Sequence, residues 1–315
     1  MTSSLNFLRN RQRGFTLVEA IVVMVITGIL AGIMVLFIRR PVQSYVDNAA
    51  RADMGDVAEL ALRRMARELH TAAPNSIRLS VNGTTALLEF IPTKAGGLYR
   101  AVEDNAGGNA LSFTNATALT FDIVGPVPAG AYGIAVGDSI IVYNLGTGFD
   151  DADAYASPVG NRATVTGTSV SGGITSIAFV DPNAAGKNPF ANAANAKDAA
   201  GAPAPRVPNT SPGNRFNVAT APVTFACISN PTGRGTLRRY WNYGFRPTQV
   251  DPSTLQNTSS ALMADNVLGC QFSVIAAANQ HTALIGMSIA LARPTTGVAL
   301  ETVTLAHQVH VNNTP

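Results

Sequence analysis

The apolar positions of this chain change their spacing twice. From Phe15 to Ile38, 24 residues are apolar or small apart from two threonines and one acid, Glu19. As a helix the run is roughly 36 Å long, enough to cross about 30 Å of hydrocarbon. Beyond it Val42, Tyr45, Ala49, Val57, Leu60, Ala61, Met65 and Leu69 recur at roughly helical intervals, with Arg, Asp and Glu between them. The spacing predicts one helix from about Phe15 to Thr71, apolar all round at first and on one stripe afterwards. Pro41 falls at the junction, where it should kink the helix or frame a weak point, and Pro74 stops it. The striped half needs a globular partner.

After Pro74 the pattern shifts to short runs broken by glycine and proline. "SIRLSVNGTTALLEFIP" holds two strand-like runs around Asn82-Gly83, a hairpin signal. "ALTFDIV", "GDSIIVYNL", "RATVTGTSV", "ITSIAFV", "PVTFACIS", "GTLRRYWNYG", "NVLGCQFSVIA", "TALIGMSIALA" and "VALETVTLAHQVHV" are further strand candidates. The expected class is α+β: a long N-terminal helix, transmembrane then amphipathic, packed against an antiparallel β-rich head. The Ala/Asn/Pro/Gly-rich stretch 181–215 has little to bury and reads as a long surface loop, a candidate separator of two β lobes rather than a domain linker. There is no internal repeat.

Composition narrows the functional classes. Charged residues make up 13% and apolar ones 46%, which excludes a disordered polyion. The net charge is +3, and Arg9, Arg11 and Arg13 supply all of that excess. The rest of the chain is formally neutral and has no basic stripe with interleaved aromatics, so no nucleic-acid partner is expected. A cleaved secretory signal fits poorly, because the apolar run is too long and no A-x-A-like site follows it. The three arginines favour a cytoplasmic N-terminus, with Arg39 and Arg40 as a weaker opposing pair. The chain then stays anchored by one helix in the inner membrane, with its head on the periplasmic side.

A carboxylate at the start of a membrane-length run is the odd feature. The string "RGFTLVEAIVVMVITGILAG" resembles the N-terminal signature of type IV prepilins and type II secretion pseudopilins. That resemblance implies a leader at 1–14, a helix at 15–73 (transmembrane over 15–38) and a head at 74–315. It implies cleavage after Gly14 by a prepilin peptidase and methylation of the new amino terminus on Phe15. It also makes Glu19 the acid that registers subunits in a filament. The physics agrees: an acid inside a bilayer costs roughly 2.5–3.5 kcal/mol or more and is seldom left unpaired. The Phe15 amine of one subunit could pair with the Glu19 carboxylate of its neighbour, so that a wrong stagger leaves a buried charge unmet. Implied partners are the membrane, the peptidase, other minor and major pilins, and the inner-membrane platform protein of the machinery. The alternative is a single-pass anchor whose acid sits idle near the headgroups.

Length points to a minor subunit, since major pilins are about half as long. "SYVDNAARADMGDVAELALRRMARELHTAAPNSIRL", "GTLRRYWNYGF", "VLGCQFSV" and "HQVHVNNTP" are similar to O-type minor pilins of mannose-sensitive haemagglutinin (MSHA) pili. The J-type pseudopilins of type II secretion are the nearest rival, and a tip adhesin is a further reading. The retained acid tells against a K-type tip subunit.

The remaining features point to structure rather than chemistry. Cys227 and Cys270, the two cysteines, lie in strand-like runs, and a periplasmic location favours a disulfide over two buried thiols. Gly28 and Gly32 have the spacing of close helix packing, of ordinary small residues in a membrane helix, or of a weak point. His307 and His310 fall on opposite faces of their expected strand, so chelation is not expected. "FDDADAY" offers Asp150, Asp151 and Asp153 without the remaining ligands of a calcium loop, and reads as a solvated acidic turn. "GRG" at 233–235 precedes a strand and is no phosphate cradle. Nucleophile-elbow, zincin and Walker motifs are absent and the four histidines are scattered, so neither an enzyme nor a cofactor is expected.

Overall fold

A computed structural model describes residues 14–101, 107–149, 151–191, 210–276, 281–294 and 300–315. One long N-terminal helix is followed by antiparallel β-sheet throughout, an α+β chain with a β-rich head. Helix α1 spans Leu17–Leu69 and its assignment runs through Pro41 without a break. Proline there removes one backbone donor, which a helix of 53 residues absorbs with neighbouring turns intact. The chain divides into two compact units, one ending at Ala52 and one from Asp53 to Pro315, so α1 belongs to the head only from Asp53, and Val42, Tyr45 and Ala49 of the expected stripe lie in the first unit and are exposed.

Within the head, Met54, Ala58, Ala61, Leu62, Met65, Ala66 and Leu69 are buried, one face at spacings of three and four. Leu60 lies off that face and is exposed. The helix closes as the N–H groups of Thr71 and Ala72 bond the carbonyls of Glu68 and Leu69, and Pro74 ends any continuation.

The stripe packs on a seven-stranded antiparallel sheet. Its strands are β1 (Arg78–Asn82), β2 (Thr85–Phe90), β9 (Val223–Ile228), β10 (Gly235–Trp241), β11 (Ser259–Ala276), β12 (Thr282–Pro294) and β13 (Leu300–Asn312), in that spatial order. Leu88, Phe90, Phe225, Leu237, Ile285, Met287 and Val309 meet the helix residues in one core. The β1–β2 turn is displaced by one residue from the expected position. Asn82 pairs with Thr85, so the two-residue loop is Gly83-Thr84, with Gly83 at φ +58° as its first residue requires.

The other six strands form a second assembly that the sequence pattern did not reveal. β3 (Thr93–Tyr99), β4 (Thr120–Val124), β5 (Ser139–Ile141), β6 (Arg162–Ser171), β7 (Ile174–Val180) and β8 (Arg215–Ala219) close into a barrel ordered β3-β4-β7-β6-β5-β8. Its interior holds Phe121, Phe179, Phe190, Phe216, Ile140, Ile177 and Val218. The whole barrel is an insertion between β2 and β9, which are paired neighbours in the sheet. The ladder ends there at Phe90 opposite Val223, Thr220 N–H bonds Pro92 O at 3.2 Å, and pairing resumes at Thr93 opposite Ala219. The division between the two β assemblies therefore falls at 91–93 and 219–223, not at 181–215.

That Ala/Asn-rich stretch is also less of a surface loop than expected. Asn188, Pro189, Phe190 and Ala191 are buried, with Phe190 stacked edge-on against Phe179 at 5.5 Å, and β8 begins at Arg215. Residues 192–209 lie outside the described part. The acidic turn at 149–155 needs a similar correction. Asp153 and Tyr155 are buried and Asp153 Oδ1 accepts the Tyr155 N–H at 2.9 Å, while Asp150 lies outside the described residues.

Candidate maturation and assembly site

The site begins where the apolar run begins. Gly14, Phe15 and Thr16 precede α1, and Thr16 is its N-cap. Thr16 Oγ1 accepts the Glu19 N–H at 3.3 Å, while Thr16 O accepts the first intrahelical bond, from Ala20 N–H at 3.1 Å. Thr16-Leu17-Val18-Glu19 thus has the T-x-x-E order of a capping box, with Glu19 at the third helical position. A carboxylate there also faces the positive end of the helix dipole. The Thr16 hydroxyl forms its half of the box through the Glu19 backbone N–H, a cap that the sequence reading missed although the four-residue signal was present.

From Leu17 on, the run buries nothing within the chain. None of the described residues in its most apolar 18-residue window is buried, and Phe15 is 78% exposed. The Thr27 hydroxyl is satisfied within the helix, donating to Val23 O at 2.7 Å. Gly28 and Gly32 have open space where a Cβ would stand, which leaves room for a neighbouring helix without identifying one. Arg9, Arg11 and Arg13 lie outside the described residues. Length and composition make the segment compatible with membrane anchoring of a pilin-like chain.

Residues 9–35 match the family model for the prokaryotic N-terminal methylation motif. Over that stretch the chain is pilin- or pseudopilin-like. The match brackets Gly14, Phe15 and Glu19 and reaches into the apolar helix; it does not extend to the head. No curated protein and no solved structure matches the chain. An exposed apolar helix with Glu19 in its first turn fits membrane association and prepilin processing in general.

Cys227 and Cys270 form a disulfide with Cα atoms 6.3 Å apart, joining β9 to β11 across the start of β10. His307 and His310 lie in β13 opposite Met287 and Leu284, three residues apart in an unbroken register, hence on opposite faces. No group of three metal-ligand side chains occurs among the described residues. Gly233 and Gly235 of the "GRG" string are packing residues: a Cβ on Gly235 would stand 2.2 Å from Ile228 O.

A polar seam locks the inserted barrel to the sheet, and no local sequence pattern signals it. The Arg78 guanidinium pairs with Glu89 and lies 3.7 Å from the Tyr155 ring centre. Its two Nη groups donate to Arg246 O and Pro247 O. The Tyr155 hydroxyl donates to Ser76 O at 2.9 Å. Burial pushes the Tyr155 phenol far above its usual range, with the Glu89 charge adding to the shift, so it remains a donor. Arg162 lies 3.7 Å over Phe245, and burial lowers its pKa to about 10. Tyr243 donates to Glu89 and is likewise pushed up by burial and that carboxylate.

Proposed function

We propose that this chain is a minor subunit of a type IV pilus-like filament, of the O-type of MSHA pili, with a structural rather than catalytic role. The single observation that carries the reading is the methylation motif at 9–35, which sets Gly14, Phe15 and Glu19 at the head of an uncovered apolar helix. On this reading prepilin peptidase cuts between Gly14 and Phe15 and the Phe15 amine is methylated. The subunit waits in the inner membrane with its head in the periplasm, and then joins other pilins through the platform protein. In the filament, the Phe15 amine and a neighbour's Glu19 form a charge pair in an apolar bundle, which sets the axial stagger. Length and the head stretches named above favour the O-type; a J-type pseudopilin is the rival within the same class.

The test is the intact mass of membrane-extracted protein with and without co-expressed prepilin peptidase. Loss of Met1–Gly14 together with one added methyl is expected. An unprocessed chain under both conditions would reduce the segment to an ordinary anchor. Glu19→Ala should abolish incorporation while the head still folds.

A tip adhesin is the second reading. It is favoured by a half-open groove of about 740 Å³ between the β1–β2 hairpin and β11–β13, whose lining includes Thr84, Gln271, Phe272 and His307 and no Asp, Glu, Lys or Arg. Loss of attachment by Gln271→Ala or His307→Ala subunits that still assemble would favour it over a purely structural role.

A further inference from the structure

The two edges of the seven-stranded sheet are built differently. β1 is five residues long, and its first residue, Arg78, is tied to Arg246 O and Pro247 O of the loop after β10. That edge is short. β13 is a 13-residue strand paired on one side only, to β12 in an unbroken register from Leu300 to Asn312. Among the described residues no other strand pairs with it. It has no proline, no bulge and no lysine, the usual devices that blunt an edge, and its one charged residue, Glu301, stands near one end. Thr302, Thr304, Ala306, Gln308, His310 and Asn312 are exposed along it.

We propose that β13 is a pairing edge for a second copy of this chain, joined antiparallel across a twofold axis at Ala306. Backbone geometry fixes the type of register. Residues whose N–H and C=O point out of a given edge share one parity, so an edge paired with itself is centred on a residue. Full overlap of Leu300–Asn312 is centred on Ala306. Thr304 then faces Gln308 of the second copy, Val303 faces Val309, Leu305 faces His307, and Glu301 faces Val311. No charge meets its like in a directly opposed pair. The five-residue β1 edge cannot accept the 13-residue β13 along its length, so head-to-tail stacking is disfavoured and the pairing closes at two. A twofold pair differs from the rotation-plus-rise of a filament, so this contact belongs to a state outside the assembled fibre.

The test uses the full-length chain in its native membrane, where the Cys227–Cys270 disulfide leaves a single introduced cysteine to report. Ala306→Cys should give a covalent dimer on mild oxidation, because directly opposed Cα atoms lie within disulfide reach, about 4.5–5.5 Å. Thr304→Cys should not, since its counterpart lies four residues along the ladder. Adding Thr304→Lys and Gln308→Lys to Ala306→Cys opposes like charges twice and should cut the cross-linked fraction roughly ten-fold. Thr304→Lys with Gln308→Glu in the same background should restore it. No cross-link at 306, equal cross-linking at 304 and 306, or equal yields from the two charge variants would each overturn the proposal. Cross-linking of Ala306→Cys only to a different protein would overturn it too.

Discussion

Thr16 Oγ1 accepts the backbone N–H of Glu19 at 3.3 Å, so the residue that starts the apolar helix and the acid inside it are one local unit. A helix that enters a bilayer has no water to satisfy its first N–H groups, and this bond meets one of them. Thr16→Ala should loosen the first turn by about 1 kcal/mol, and Thr16→Ser should restore it. Amide hydrogen exchange at Glu19 in detergent micelles reads this directly. Unchanged protection in Thr16→Ala would mean that the cap contributes nothing.

Arg78 couples β1, the barrel and the loop after β10. Removing its side chain strands the Glu89 carboxylate, 2% exposed, without its cation, a loss of about 3–5 kcal/mol. Arg78→Lys should recover little of this, because one ammonium cannot serve a carboxylate, two carbonyls and a ring face together. Tyr155→Phe should cost less, about 1–3 kcal/mol, through the unpaired Ser76 carbonyl. Thermal unfolding should rank the three in the order Arg78→Ala, Arg78→Lys, Tyr155→Phe. Equal values for Tyr155→Phe and wild type would show that the hydroxyl bond has no net worth.

How far these features could be read from the sequence follows from how local each one is. The helix from Leu17 and the hairpin around Gly83 are near-neighbour patterns, and both were legible. Cys227 and Cys270 could be paired because the chain holds two cysteines. The barrel was not legible, because β3 reads "TKAGGLY" and β8 "RFNVA", with too few alternating apolar residues to stand out. Only the return of β9 to β2 defines the insertion, and no local window contains both strands. Arg78 and Tyr155 are 77 positions apart, so their stacking had no sequence signal at all. At the candidate maturation site the balance was the reverse. Gly14, Phe15 and Glu19 stood out as a motif, while the cap by Thr16 needed only its T-x-x-E spacing to be noticed.

Gly235 sits where three backbones converge. A Cβ there would lie 2.2 Å from Ile228 O and 2.3 Å from Val267 O, both fixed in strands. Neither carbonyl can retreat without breaking the β9–β10 or β10–β11 ladder. Gly235→Ala should therefore destabilise the head by more than about 3 kcal/mol, well above a typical surface change. Gly167→Ala, with no atom within 4 Å of its added Cβ, is the control and should be near neutral. Chemical denaturation of both variants decides the point, and a near-neutral Gly235→Ala would refute the backbone-crowding account.

Asp122 gives the barrel an acid sensitivity with a definite sign. Burial alone would raise its pKa, but Ser176 Oγ donates to it at 2.6 Å, Asn109 donates through N–H at 2.8 Å and through its side chain, and Arg100 stands at 3.5 Å. These outweigh burial and hold the carboxyl below its ordinary value. A carboxyl depressed in the folded state binds fewer protons than in the unfolded chain. Its stabilisation is complete above the unfolded value of about 4 and is lost as pH falls through the lower folded value. Asp122→Asn turns an acceptor toward donors as an amide, so at neutral pH it should cost about 1.5–3 kcal/mol. The difference between wild type and Asp122→Asn should shrink steadily below pH 4, as the wild-type carboxyl takes up its proton. A gap of constant size from neutral pH down to pH 2 would mean that hydrogen-bond geometry, and not the charge on Asp122, holds this corner of the barrel.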